Sequence, residues 1–80
     1  MNTLDRWIKE SAMLTEVNSS NIKAVDYDDV TQVLTVQFHS GDTYTYDGVP
    51  QEVNEAFLNA NSLGRFFHVN IRNNYTYHKM

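Results

Sequence analysis

The 80-residue chain has 41% hydrophobic residues and ten acids against six Lys and Arg, for a net charge of −4; this bounds it to one small domain that buries only about 60–65% of its unfolded surface. So thin a core argues against an elaborate buried active site, and the absence of cysteine removes disulfides, thiolate metal ligands and a thiolate nucleophile. No apolar run nears the ~20 residues of a membrane span and the N-terminus lacks the basic-then-apolar order of a secretion signal, so a cytoplasmic protein is expected.

In chain order, Leu4, Trp7, Ile8 and Ala12 form one stripe of an amphipathic helix over residues 3–15, with Thr3 as N-cap and Asp5 in the first turn. A helix this short is marginal alone, so Trp7 must pack on the domain or on a second subunit. After the polar connector Val17 to Asn21, residues 22–27 predict a strand and Asp28-Asp29 a turn. Residues 32–38 alternate with Leu34, Val36 and Phe38 inward, and Ser40-Gly41-Asp42 closes a hairpin into Thr43-Tyr44-Thr45-Tyr46. Branched and aromatic side chains suit that last strand, while Gly48 and Pro50 end it. The expectation is a three-stranded antiparallel meander, which needs a cover for its apolar face.

Pro50 suits a first helical position, and Val53, Ala56, Phe57 and Ala60 line one face of the helix that follows. Ser62 can cap a second helix through Arg72, with Arg65, His68 and Arg72 on one face and Leu63, Phe67 and Ile71 or Asn70 on another. The tail repeats Tyr75-Thr76-Tyr77 and reads as extended. The fold class is therefore α+β: the meander, two C-terminal helices packed on it, and an extra N-terminal helix, divided into residues 1–16 and a domain over 17–80.

Charge is unevenly distributed. Residues 1–60 hold all ten acids and three bases, for −7, whereas residues 61–80 hold Arg65, Arg72 and Lys79 and no acid, for +3. An acidic body repels a long polyanion, yet a local cationic patch can hold a few phosphates. Catalytic signals are weak: there is no Gly-rich phosphate loop, His39, His68 and His78 are dispersed, and Glu52 and Glu55 read as a solvated helix start. No enzyme, metal or cofactor is expected.

The order of residues Val17-x-Ser19-Ser20-x-Ile22-x-Ala24-Val25-x-Tyr27-Asp28, then Phe38-x-Ser40-Gly41-x-x-Tyr44-x-Tyr46-x-Gly48-Val49-Pro50, then Gly64-x-Phe66-Phe67-x-x-Asn70-Ile71-Arg72-x-x-Tyr75-x-Tyr77 closely resembles the KTSC domain over about residues 17–77. That family takes its name from the C-terminus of some lysyl-tRNA synthetases and also occurs as a stand-alone bacterial or phage protein. The resemblance implies a ligand-binding module, and RNA binding has been proposed for the family. Asp26, where the family usually has a small residue, and the N-terminal helix depart from its pattern.

A nucleotide pocket would use Arg65 and Arg72 on phosphate and the rings of Tyr44, Tyr46, Phe66, Tyr75 and Tyr77 for stacking. Asn70, inside the Asn-Ile-Arg motif, joins that candidate set. Ser19 and Ser20 either donate to a phosphate or cap the strand start. Tyr44 and Tyr46, on one strand face, are read either as half-buried sheet tyrosines or as a ligand platform. Three functions are carried forward. The first is a phage-type sponge, a homo-oligomer sequestering a small cyclic or modified signalling nucleotide and so blunting host immune signalling; the others are an RNA or tRNA-binding module and a structural oligomerisation module.

Overall fold

The computed structural model describes residues 14–80. Five antiparallel strands lie in the order β1 (Thr15–Glu16), β2 (Ile22–Asp28), β3 (Val33–Phe38), β4 (Thr43–Tyr46) and β5 (Tyr77–Lys79). Between β4 and β5 come α1 (Gln51–Leu58) and α2 (Leu63–Phe66), the latter running without a break into a π-helical segment (Phe67–Ile71).

The sheet corrects the three-strand expectation at both edges. Thr15 and Glu16 pair with Val25 and Ala24, so the last residues assigned to the N-terminal helix and its 1–16 segment belong to the sheet instead. The rest of that helix, with Trp7 and Ile8, lies outside the described residues. At the other edge the extended tail becomes β5, with Tyr77 opposite Tyr46 and Lys79 opposite Tyr44. Strands of two and three residues are too short to show a period, and their sheet partners, not their own pattern, create them.

The central register carries the core. Val36 faces Val25 and Tyr44, and Leu34 faces Tyr27 and Tyr46, so one face of three strands is apolar. A bulge between Ile22 and Ala24 brings Ile22 opposite Phe38, on the face that Leu34 and Val36 share. Ile22, Leu34, Val36, Val49, Phe57 and Ile71 are wholly buried, and Val25, Tyr46 and Phe67 complete the cluster. Phe38, expected inward, is half-buried against it.

Turn chemistry sets the connections. Asp28 Oδ1 accepts from the Val30 and Thr31 amides at 2.9 and 3.3 Å, making the β2–β3 turn an Asx-type turn. Gly41 at φ +100° and Gly48 at φ +71° occupy the left-handed region, which a Cβ disfavours. Gly48 turns the chain from β4 to Val49, whose amide donates to Gln32 O at 2.9 Å and whose carbonyl accepts from Tyr27 Oη at 2.6 Å. The chain thus reaches α1 already pinned to the sheet.

Pro50 is the N-cap of α1, extended at ψ 153°, and not its first helical residue. Asn54 and Phe57 are the buried residues of α1 and Val53 and, just beyond it, Ala60 are half-buried, so the expected stripe holds except that Ala56 is exposed and Asn54 takes its place. The helix meets the core chiefly through Phe57, and the residues flanking that contact are 53 and 54, not 56. Ser62 caps α2 as its sequence predicts, its Oγ accepting from the Arg65 amide at 3.3 Å.

Candidate functional site

A cleft of about 780 Å³ opens between the β3–β4 hairpin, the outer part of β4–β5 and the α2–π helical face. Its floor is aromatic because β4 alternates and β5 pairs beside it. Tyr44 and Tyr46 lie with ring centroids 6.4 Å apart and planes at 29°, and Tyr77 sits 5.8 Å from Tyr44 and 6.1 Å from Tyr46. Phe67 supports the floor edge-on to Tyr46 and Phe38, at 5.3 Å from each.

Tyr46 is 3% exposed, whereas Tyr77 is 57% exposed and Tyr44 half-buried. The two readings of the tyrosine pair therefore divide by residue: Tyr46 belongs to the core, and Tyr44 and Tyr77 present their rings. Burial pushes the Tyr46 phenol up to about 12, with Tyr44 and Tyr77 adding to the rise and the Arg72 guanidinium opposing it. Arg72 thus acts electrostatically on this aromatic floor.

The helical rim comes from the segment after Ser62. A π-helical backbone closes through the bond from the Arg72 amide to Phe67 O at 2.9 Å, a five-residue step, and such segments are frequent at functional sites. Phe67 and Ile71 point into the core while Arg65, His68 and Arg72 line the cleft. Arg72 Nη1 donates to His68 Nδ1 at 3.2 Å. Among the described residues no carboxylate lies within ion-pair distance of either arginine; Asp47 faces His78 at 3.0 Å and Asp42 faces Lys79 at 3.5 Å.

Six of the residues singled out from sequence meet at this cleft: Ser20, Tyr44, Tyr46, Arg65, Arg72 and Tyr77. Four stand elsewhere. Ser19 Oγ accepts from the Asn21 and Ile22 amides at 3.3 and 3.2 Å, a capping role at the start of β2. Phe66 packs 5.9 Å from Phe57 and against the core, and Tyr75 is half-buried there too. Asn70 is exposed, and its carbonyl accepts from Asn74 Nδ2 at 2.7 Å.

The opposite rim holds His39, read from the sequence as one of three dispersed histidines, with Ser40 and Asp42, read as hairpin formers. Asn21 and Gly64 also line the cleft, and a Cβ on Gly64 would stand 3.3 Å from Asn21 Nδ2, so glycine there lets the helix start approach the β2 loop. The signal available for the hairpin rim was its density of polar side chains beside a tyrosine strand. Among the described residues, no group of three His, Asp or Glu converges as a metal ion requires, and no helix is long and apolar enough to cross a membrane.

A five-stranded antiparallel sheet with a tyrosine-floored cleft under a short helical corner defines the class as a small α+β module. The KTSC domain family matches residues 18–75, and the chain belongs to that family. The crystal structure of a KTSC domain protein from Yersinia pestis superposes with a TM-score of 0.81 at 36% identity, covering 84% of this chain and 94% of that one. An uncharacterised protein of Stutzerimonas stutzeri is 47% identical over 51 residues, 64% of this chain and 72% of that protein. A lysine–tRNA ligase of Nostoc sp. is 40% identical over 67 residues, which are 84% of this chain and only 12% of the ligase.

Proposed function

We propose that this KTSC domain is a non-catalytic binding module that captures a small nucleotide in the cleft, with the base against Tyr44 and Tyr77 and phosphate at Arg65 and Arg72. The observation that carries the reading is the pairing of an open aromatic floor with two arginines that have no carboxylate partner among the described residues. Base stacking on an aromatic ring and charge-assisted bonds from a guanidinium are the two contacts a nucleotide supplies. The cleft volume of about 780 Å³ falls within the ~300–1,000 Å³ usual for small-molecule sites. Capture without turnover suits a stoichiometric sink for a cyclic or otherwise modified signalling nucleotide, the role a phage sponge would have in blunting host signalling.

Native mass spectrometry of the protein purified from cells tests this reading. A retained nucleotide, recovered intact after heat denaturation, is the expected result. Protein that carries none and binds none when offered nucleoside phosphates would contradict it, and a cleaved product accumulating with time would make the domain an enzyme.

The match to a lysine–tRNA ligase favours a second reading, in which the same arginines and tyrosines contact RNA. The −4 net charge weakens affinity for a long polyanion. Filter binding of tRNA at low and moderate salt separates the two: retention of tRNA with no affinity for mononucleotides supports RNA as the ligand.

A further inference from the structure

We propose that the β3–β4 hairpin rim selects the base, and that the preferred ligand is a guanine nucleotide. This rests on the nucleotide reading above and adds which base the cleft accepts. The two rims have opposite hydrogen-bonding character. On the helical rim Arg72 can only donate, so its bond at 3.2 Å makes His68 Nδ1 the acceptor and leaves Nε2–H as that ring's free polar group. Arg65 and Arg72 are donors throughout. That rim therefore offers donors and suits phosphate oxygens.

The hairpin rim is the reverse. His39 Nε2 lies 3.0 Å from Ser19 O, which can only accept, so the proton sits on Nε2 and Nδ1 is the acceptor left in the singly protonated ring. Ser40 Oγ donates to Asp42 Oδ2 at 3.4 Å, which uses its one proton. Asp42 accepts at every lone pair; its contacts with Ser40 and Lys79, at 3.4 and 3.5 Å, leave sites on a group that takes about four. Acceptors on this rim call for N–H donors on the ligand.

A planar ring between the rims, with oxyanion at one end and N–H groups at the other, fits a nucleotide read along its base edge. Guanine alone among the common bases places an N–H and an NH₂ side by side, the pair a carboxylate takes with both oxygens. Uracil sets one N–H between two carbonyl acceptors, which would face the rim acceptors unfavourably.

Calorimetric titration with GMP, IMP, AMP, CMP and UMP tests the inference. GMP is expected to bind best, IMP, which lacks only the 2-amino group, about 10-fold more weakly, and UMP most weakly. Asp42→Ala should bring GMP and IMP together. Lys79→Ala loses the same ion pair but keeps the carboxylate, and should retain the GMP preference, which separates base reading from a weakened hairpin. Equal affinity for all five nucleotides, or a GMP-to-IMP ratio unchanged in Asp42→Ala, would overturn the base assignment while leaving nucleotide binding intact. Failure of all five to bind would overturn this assignment, and the nucleotide reading falls with it if the protein purified from cells also retains no nucleotide.

Discussion

Arg72 Nη1 donates to His68 Nδ1 at 3.2 Å from one turn further along the π-helical segment, so the imidazole holds the guanidinium at the edge of the tyrosine floor. A long side chain loses rotamer freedom when it binds a ligand, and a bond already formed in the free protein reduces that loss. His68 is thus a positioning residue for Arg72 under the nucleotide reading.

His68→Ala should therefore weaken nucleotide binding, but by less than loss of the guanidinium itself. A net hydrogen bond of about 0.5–1.5 kcal/mol corresponds to roughly a 2- to 13-fold change in affinity. Calorimetry of the variant checks this, and affinity equal to that of the parent would show that the pair does not orient Arg72 for binding.

The Tyr46 phenol gives the fold an alkaline limit. Its folded-state value, about 12, lies above the ordinary value of 10, so the native state holds the proton more tightly than the unfolded chain. This contribution is full below pH 10 and is lost as pH rises from about 10 to 12. Tyr27, raised mainly by burial and then by Asp29, Glu52 and Asp28, acts in the same direction. Denaturation midpoints measured from pH 8 to 12 should fall with pH in the parent and fall less in Tyr46→Phe.

Asn54 marks a local conflict in α1. It is 7% exposed and its Oδ1 is buried without a hydrogen-bond partner among the described residues. A buried polar atom left unpaired costs about 1–3 kcal/mol, and an apolar group of similar size removes that cost. Asn54→Leu should raise the melting temperature by roughly 4–8 °C per kcal/mol recovered. A lowered melting temperature would show that this amide serves the fold in a way its missing partner conceals.

Self-association is expected as well. Among the described residues β5 has only β4 as a neighbour, and Val69 and Met80 are 63% and 77% exposed. An unpaired strand edge is a ready pairing surface, and Trp7 and Ile8 add apolar side chains to a chain with a thin core. Sedimentation at micromolar concentration should show a dimer or larger species, and a species of 9.3 kDa alone would contradict this.

Much of the sheet was legible because Leu34 and Val36, and then Tyr44 and Tyr46, alternate over runs long enough to show a period. The Ser62 cap and the split of Arg65 and Arg72 from Phe67 and Ile71 were legible for the same reason at helical spacing. β1 and β5 were not, since strands of two and three residues owe their existence to a neighbour's open edge. The π-helical step has no residue signature, and Asn54 took a buried place that polarity argues against. Of the candidate site, the arginines and three tyrosines were visible as residue types suited to phosphate and bases. Ser40 and Asp42 were read as hairpin formers because turn residues advertise their backbone role first, and His39 was read as a dispersed histidine because its sequence neighbours give no second ligand. Ser19, Phe66 and Tyr75 had side-chain chemistry suited to a ligand but are occupied by capping or packing.

The central claim is that Arg65 and Arg72 hold the phosphate of a nucleotide in the tyrosine cleft, and calorimetric titration of a nucleotide into the parent, Arg65→Ala and Arg72→Ala, with melting curves on the same samples, tests it most directly. Each charge-assisted contact of about 1.5–3 kcal/mol should cost roughly 10- to 150-fold in affinity. Both side chains are exposed, so melting temperatures should hardly move, in line with under about 0.5 kcal/mol for such surface changes. Retained nucleotide affinity with a clear loss of melting temperature would contradict the account, showing the arginines to be structural and the binding site to lie elsewhere.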